Sequence, residues 1–194
     1  GNGAMGGAIV FKTEDPKNCN KIQIKQQFES SSSAVTTNFK SNYFVNRTSH
    51  ITGFSVKSAG NMRMGKKRFH GYESWGKEPV ITNNEEQLYT NYTQIHFLHK
   101  SKYKIRSHLV LFNTQYSTSS NIYRFDKMND IEDGAQKYKS WYYGPQMRFL
   151  QKASYSRKTK SFAFDKIKTS VAFQNIKESR HTQKTGSPLL NNRK

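Results

Sequence analysis

KIQIKQQF, residues 21–28, decides the fold class. Ile22, Ile24 and Phe28 fall on one side of an extended chain, and Lys21, Gln23, Lys25 and Gln27 on the other, a period of two that belongs to a two-faced strand. The pattern recurs. AVTTNFKSNYF (34–44) sets Val35, Phe39 and Tyr43 against Asn38, Lys40 and Asn42. In residues 167–174, Ile167, Thr169, Val171 and Phe173 oppose Lys168, Ser170, Ala172 and Gln174. MRFLQKASY (147–155) repeats it more weakly, with Met147, Phe149, Ala153 and Tyr155 opposite Arg148, Lys152 and Ser154. Three further strands are expected over 49–58, 87–99 and 104–115 from length and β-propensity, because Val110 and Phe112 interrupt the alternation. The chain is therefore expected to be all-β, with about seven strands.

Composition constrains what these strands enclose. Of 194 residues only 34% are hydrophobic, and the mean hydropathy is -0.90, which is thin for an ordinary two-layer core. Yet there are 13 Phe and 11 Tyr, far from the aromatic-poor composition of a disordered chain. Cys19 stands alone, which removes an intramolecular disulfide framework and any Cys-based zinc site. No run of about 18 apolar residues exists to make a membrane helix, but barrel strands need only about 9–11 residues of alternating character.

The connections alternate in length. Asn46 to Thr48, Lys100 to Lys102 and Arg157 to Lys160 read as short polar turns, whereas 59–86 and 116–146 are much longer than hairpin loops. Short turns at one rim and long loops at the other are the pattern of a transmembrane barrel. Ser30 to Ser33 is the exception, a short connection where a long one would be allowed. In such a barrel the apolar stripe meets lipid and the polar stripe faces a wet lumen, so a low overall hydrophobicity is accommodated.

The first sixteen residues, GNGAMGGAIVFKTEDP, contain G-x-G-x-x-G but lack the preceding strand and following helix of a dinucleotide site. They lead instead into the strand-like Ala8 to Thr13. This stretch resembles the end of the plug domain of TonB-dependent outer-membrane receptors, where a turn of the G-x-x-A-x-G-G kind precedes the first barrel strand. GNMRMGKKRFHGYESWGK (60–77), STSSNIYRFDKM with WYYGPQMRFL (117–150) and VAFQNIKESRH (171–181) are similar to long-loop and later-strand segments of the same receptors, especially those for haem and haemoglobin.

The resemblance implies an antiparallel transmembrane β-barrel portion, residues 19–194, preceded by the last strand of a plug, residues 1–18. Gly3, Gly6 and Gly7 would serve the plug turn, since glycine permits tight turns and close backbone approach. Gly1 is not an initiating methionine and the family's barrels have about 22 strands, so a fragment is expected. The implied function is TonB-dependent uptake of a scarce chelate, haem or a ferric siderophore, across the bacterial outer membrane. Its partners would be that chelate, the surrounding lipid, and the TonB complex acting through plug residues outside this sequence.

Ligand binding is expected in the long loops. Arg63, Lys66, Lys67 and Arg68 suit carboxylate or catecholate groups, Tyr72 and Trp75 can stack on a planar ligand, and His70 can ligate haem iron. Trp141, Tyr142 and Tyr143 are further candidates. The competing interpretation is that these side chains pack the loops, contact lipopolysaccharide or form an aromatic girdle.

A net charge of +19 leaves a different class open, a soluble basic β-protein that binds nucleic acid or another polyanion. The charge is spread along the chain without a recognition helix, zinc-finger spacing or RNP-type motif, so nucleic acid is not the expected partner. No H-E-x-x-H, G-x-S-x-G or phosphate loop is present, and His96 and His99, three apart, would point to opposite faces of a strand. Neither catalysis nor a resident cofactor is expected.

Overall fold

The structure is a computed structural model that describes residues 12–63, 85–159, 161–188 and 191–193. In chain order the elements are β1 (Lys21–Glu29), β2 (Ala34–Val45), β3 (Thr48–Ala59), β4 (Met62–Arg63), β5 (Glu86–Gln87), β6 (Tyr92–Ile105) and β7 (His108–Ser119). They continue with β8 (Ile122–Tyr123), α1 (Phe125–Met128), β9 (Ile131–Glu132), β10 (Ala135–Gln136), β11 (Tyr138–Tyr143), β12 (Met147–Lys158), β13 (Lys166–Lys177), β14 (Arg180–Lys184) and β15 (Asn191–Arg193). The chain is all-β and antiparallel.

Seven long strands form one sheet in the order β1-β2-β3-β6-β7-β12-β13. Each pairs with its neighbour in an unbroken antiparallel register, so the alternation within each strand stays in phase across the sheet. One row reads Ile24, Phe39, Phe54, Phe97, Tyr116, Phe149 and Asn175. An adjacent row on the opposite face reads Gln23, Lys40, Gly53, Leu98, Gln115, Leu150 and Gln174. The consequence is one apolar, aromatic face and one polar, basic face.

The burial is inverted relative to a water-soluble core. On the apolar face Ile24 is 73% and Val171 71% exposed, and Phe28, Phe54, Phe112 and Phe173 are exposed too. On the basic face Ile51, Asn42, Ser49 and Lys100 are buried. They lie beneath a strap, residues 12–20, that crosses this face before entering β1. Pro16 is fully buried there.

Two-residue reversals join β2 to β3 at Asn46-Arg47 and β6 to β7 at Arg106-Ser107. Asn46 and Arg106 have φ of 55° and 51°, the left-handed conformation such tight turns require. At the other rim the segment between β7 and β12 is structured. β11, in that segment, lies between β14 and β8 in a four-stranded sheet ordered β15-β14-β11-β8 that also draws on the chain after β13, with α1 against it.

Two expected turns are displaced. Lys100 to Lys102 lie inside β6, and the chain reverses at Arg106-Ser107 instead, so the expected strands 87–99 and 104–115 are observed as Tyr92–Ile105 and His108–Ser119. Three lysines at alternate positions, Lys100, Lys102 and Lys104, are the basic stripe of a long strand and not a solvated turn. Arg157 and Lys158 likewise belong to β12, and the reversal before β13 is longer than expected.

Candidate functional site

Six of the seven long strands carry basic residues on the polar face, and β7 carries none. β1 brings Lys21 and Lys25 to the basic face, β2 Lys40, β3 Lys57, and β6 Lys100, Lys102 and Lys104. β12 adds Arg148, Lys152 and Lys158, and β13 adds Lys166 and Lys168. Glu29 is the one carboxylate these seven strands place on that face. The apolar face carries Arg157 and Lys177 near strand ends and no carboxylate. Within the seven long strands, positive charge that looks evenly spread in sequence is thus gathered onto one side of the sheet by pleating.

The strap supplies the balancing acids where it lies. The Lys100 ammonium donates to the carbonyl oxygens of Thr13 and Glu14, both at 2.9 Å, and to Asp15 Oδ1 at 3.2 Å. Three acceptors satisfy its three donors, which is why a lysine tolerates this burial. Lys102 donates to the Pro16 carbonyl, and Ser49 meets Asn18 Oδ1. Glu14 bridges Lys17 and Lys40, each at 2.7 Å, and Asp15 Oδ2 lies 3.2 Å from Lys12. Hydrogen bonds from Lys17 and then Lys40 lower the Glu14 carboxyl to about 2. Burial pushes Asp15 up, but hydrogen bonds from Lys12 and Lys100 outweigh it and leave the carboxyl below its usual value.

Beside the strap a cleft of about 790 Å³ opens over β7, β12 and β13. Leu109, Leu111 and Leu150 form an apolar part of its lining, and Lys152, Lys166, Lys168 and Arg148 edge it.

The sequence-derived loop candidates separate into three groups. Arg63 ends β4 and lies 3.9 Å from Glu86 of β5. Lys66, Lys67, Arg68, His70, Tyr72 and Trp75 lie outside the described residues, as do Gly3, Gly6 and Gly7. Trp141, Tyr142 and Tyr143 are consecutive in β11 and have unlike environments. Trp141 is 7% exposed; its backbone N–H donates to Met128 Sδ at 3.2 Å, and the Arg124 guanidinium lies 4.8 Å from its ring centroid. Tyr142 stacks on His181 at 4.7 Å, and Tyr143 is exposed. This arrangement gives Trp141 a packing role within the small sheet and leaves Tyr143 accessible.

His96 and His99 do occupy opposite faces of β6, as their spacing requires. Among the described residues no group of three His, Cys, Asp or Glu side chains could hold a metal ion. The residues that sequence reasoning passed over are Lys100, Lys152 and Lys168, whose alternation with Ser101, Ala153 and Thr169 was the available signal. Comparison of the chain with protein families, with curated proteins and with solved structures finds no match.

Proposed function

We propose that this chain is part of an outer-membrane receptor that imports a scarce chelate, haem or a ferric siderophore, with energy delivered by a TonB-type complex. The observation that carries this reading is the inverted sheet, aromatic and bare on one face, basic and strapped on the other. Water penalises exposed apolar surface of this extent, whereas a hydrocarbon surround favours it. Long strands support the same reading: 12 residues at about 3.3 Å each span about 40 Å, enough to cross a tilted barrel wall. Unlike rims add to it, with two of the three connections below being two-residue turns and two of the three above being long.

On this reading β1 and β13 pair with further strands, because unpaired backbone groups at a sheet edge are costly in lipid. The strap is then the exit of the plug into the barrel. The long-loop candidates, Arg63 to Trp75 and Tyr143, would meet the ligand first.

The test is cell fractionation and folding of the full-length product. It should sediment with outer membranes, require detergent for extraction, and support growth on haem or a siderophore as iron source. A monodisperse, cooperatively melting soluble monomer of this chain would overturn the membrane reading and favour the soluble polyanion-binding alternative.

A further inference from the structure

We infer that the cleft beside the strap is a binding site for a compact, multiply charged anion bearing phosphate or carboxylate groups. The site goes beyond the transport reading and does not depend on it, because the basic face defines it whether or not the opposite face meets lipid.

The argument begins with charge balance. Among the described residues Asp15 is the one carboxylate lining the cleft, and both of its oxygens are already engaged, Oδ1 by Lys100 and Oδ2 by Lys12. Lys152, Lys168, Lys166 and Arg148 have no carboxylate within 4.0 Å among the described residues. Four cations thus converge on one cleft with no carboxylate of their own among the described residues, which raises the potential there and favours an anion.

Register explains the convergence. Lys152 stands in the row Lys100, Asn113, Lys152, so the strap's anchoring ammonium and the first free one are separated by a single strand. Lys168 is opposite Ser156, and Ser154 is opposite Ser170, their hydroxyls 2.9 Å apart. Hydroxyl donors therefore lie between the ammonium groups. The leucines lower the local dielectric, which strengthens a charge-assisted hydrogen bond relative to one in bulk water. A volume of about 790 Å³ lies in the range of small-molecule pockets and is too large for a single monatomic ion to fill.

The two chemistries that fit, a polyphosphate and a polycarboxylate, are separated by the probe. Pyrophosphate and citrate are titrated calorimetrically into the full-length protein in nonionic detergent at low salt. At least one should bind saturably, and salt should weaken it. Preference for pyrophosphate assigns a phosphorylated ligand, and preference for citrate assigns a carboxylate chelate. The double substitution K152Q/K168Q should weaken binding at least about tenfold. K21Q/K25Q, on the far strand β1, should leave it unchanged.

Absence of saturable binding of both probes, or equal losses in the two double variants, would overturn the site. Acylation footprinting of the unmutated protein in isolated membranes gives a second readout. Lys152 and Lys168 should be protected by the bound anion while Lys21 and Lys25 are not, and uniform labelling with and without anion also overturns the proposal. Failure of iron-dependent growth with binding intact would count against the transport reading alone.

Discussion

The Lys100 ammonium donates at 2.9 Å to the backbone carbonyl of Thr13, 87 residues earlier in the chain. This contact, with those to Glu14 and Asp15, fixes the strap on the sheet over Lys100, a cation buried beneath it. The same lysine opens the stretch, Lys100 to Lys102, that local composition marks as a turn.

Replacing Lys100 by Met should release the strap. Hydrogen bonds to a charged donor are worth about 1.5–3 kcal/mol, so exchange protection of amides in residues 13–18 should fall by a corresponding factor. Lys40→Met removes a half-exposed pair with Glu14 and should cost less, about 0–1 kcal/mol. Hydrogen exchange resolved to this segment checks both, and equal losses would show that Lys100 is not the main anchor.

Acid should undock the strap. Lys17 and Lys40 lower Glu14 from 4.5 to about 2. A carboxylate whose folded pKa is depressed stabilises fully above its unfolded pKa, and that stabilisation is lost as pH falls through the folded one. Docking should therefore hold above about pH 5 and weaken between about pH 4.5 and 2, with Asp15 acting in the same direction. Glu14→Gln should flatten this limb of the exchange profile; an unchanged limb would assign the effect elsewhere.

Arginine scanning of β13 should separate the two faces. Val171 and Ser170 are neighbours at the middle of the strand, Val171 on the apolar face and Ser170 hydrogen-bonded to Ser154 on the basic one. With lipid against the apolar face, Val171→Arg should cost about 2–4 kcal/mol and Ser170→Arg distinctly less. Refolding titrations of the full-length protein into lipid vesicles measure the difference, and equal costs would count against a lipid-facing assignment.

Trp141→Ala should damage the small sheet without dissolving the large one. A buried tryptophan truncated to alanine costs about 3–5 kcal/mol, and Trp141 packs with Met128 and the Arg124 guanidinium. Protection should drop in β11 and β14 and persist in β6 and β7. Tyr143→Ala, at an exposed position, should leave both sheets intact and is the better probe of ligand contact.

Local alternation by itself determined that this protein is built of two-faced strands. A pleated chain sends successive side chains to opposite sides, so Ile22, Ile24 and Phe28 announce their common face without reference to any other residue. The hairpin positions were only partly legible. Lys100, Ser101 and Lys102 are polar on both sides of the strand, a composition shared by a turn and by a strand interior whose stripe faces other polar groups. Tertiary structure alone decided between them, because the deciding partners are Thr13, Glu14 and Asp15, far away in sequence and adjacent only once the strap crosses the sheet. The concentration of scattered lysines on one face has the same origin: pairing in register sums across the sheet a preference that β1, β6, β12 and β13 each carry as two or three unremarkable residues, and β2 and β3 as one.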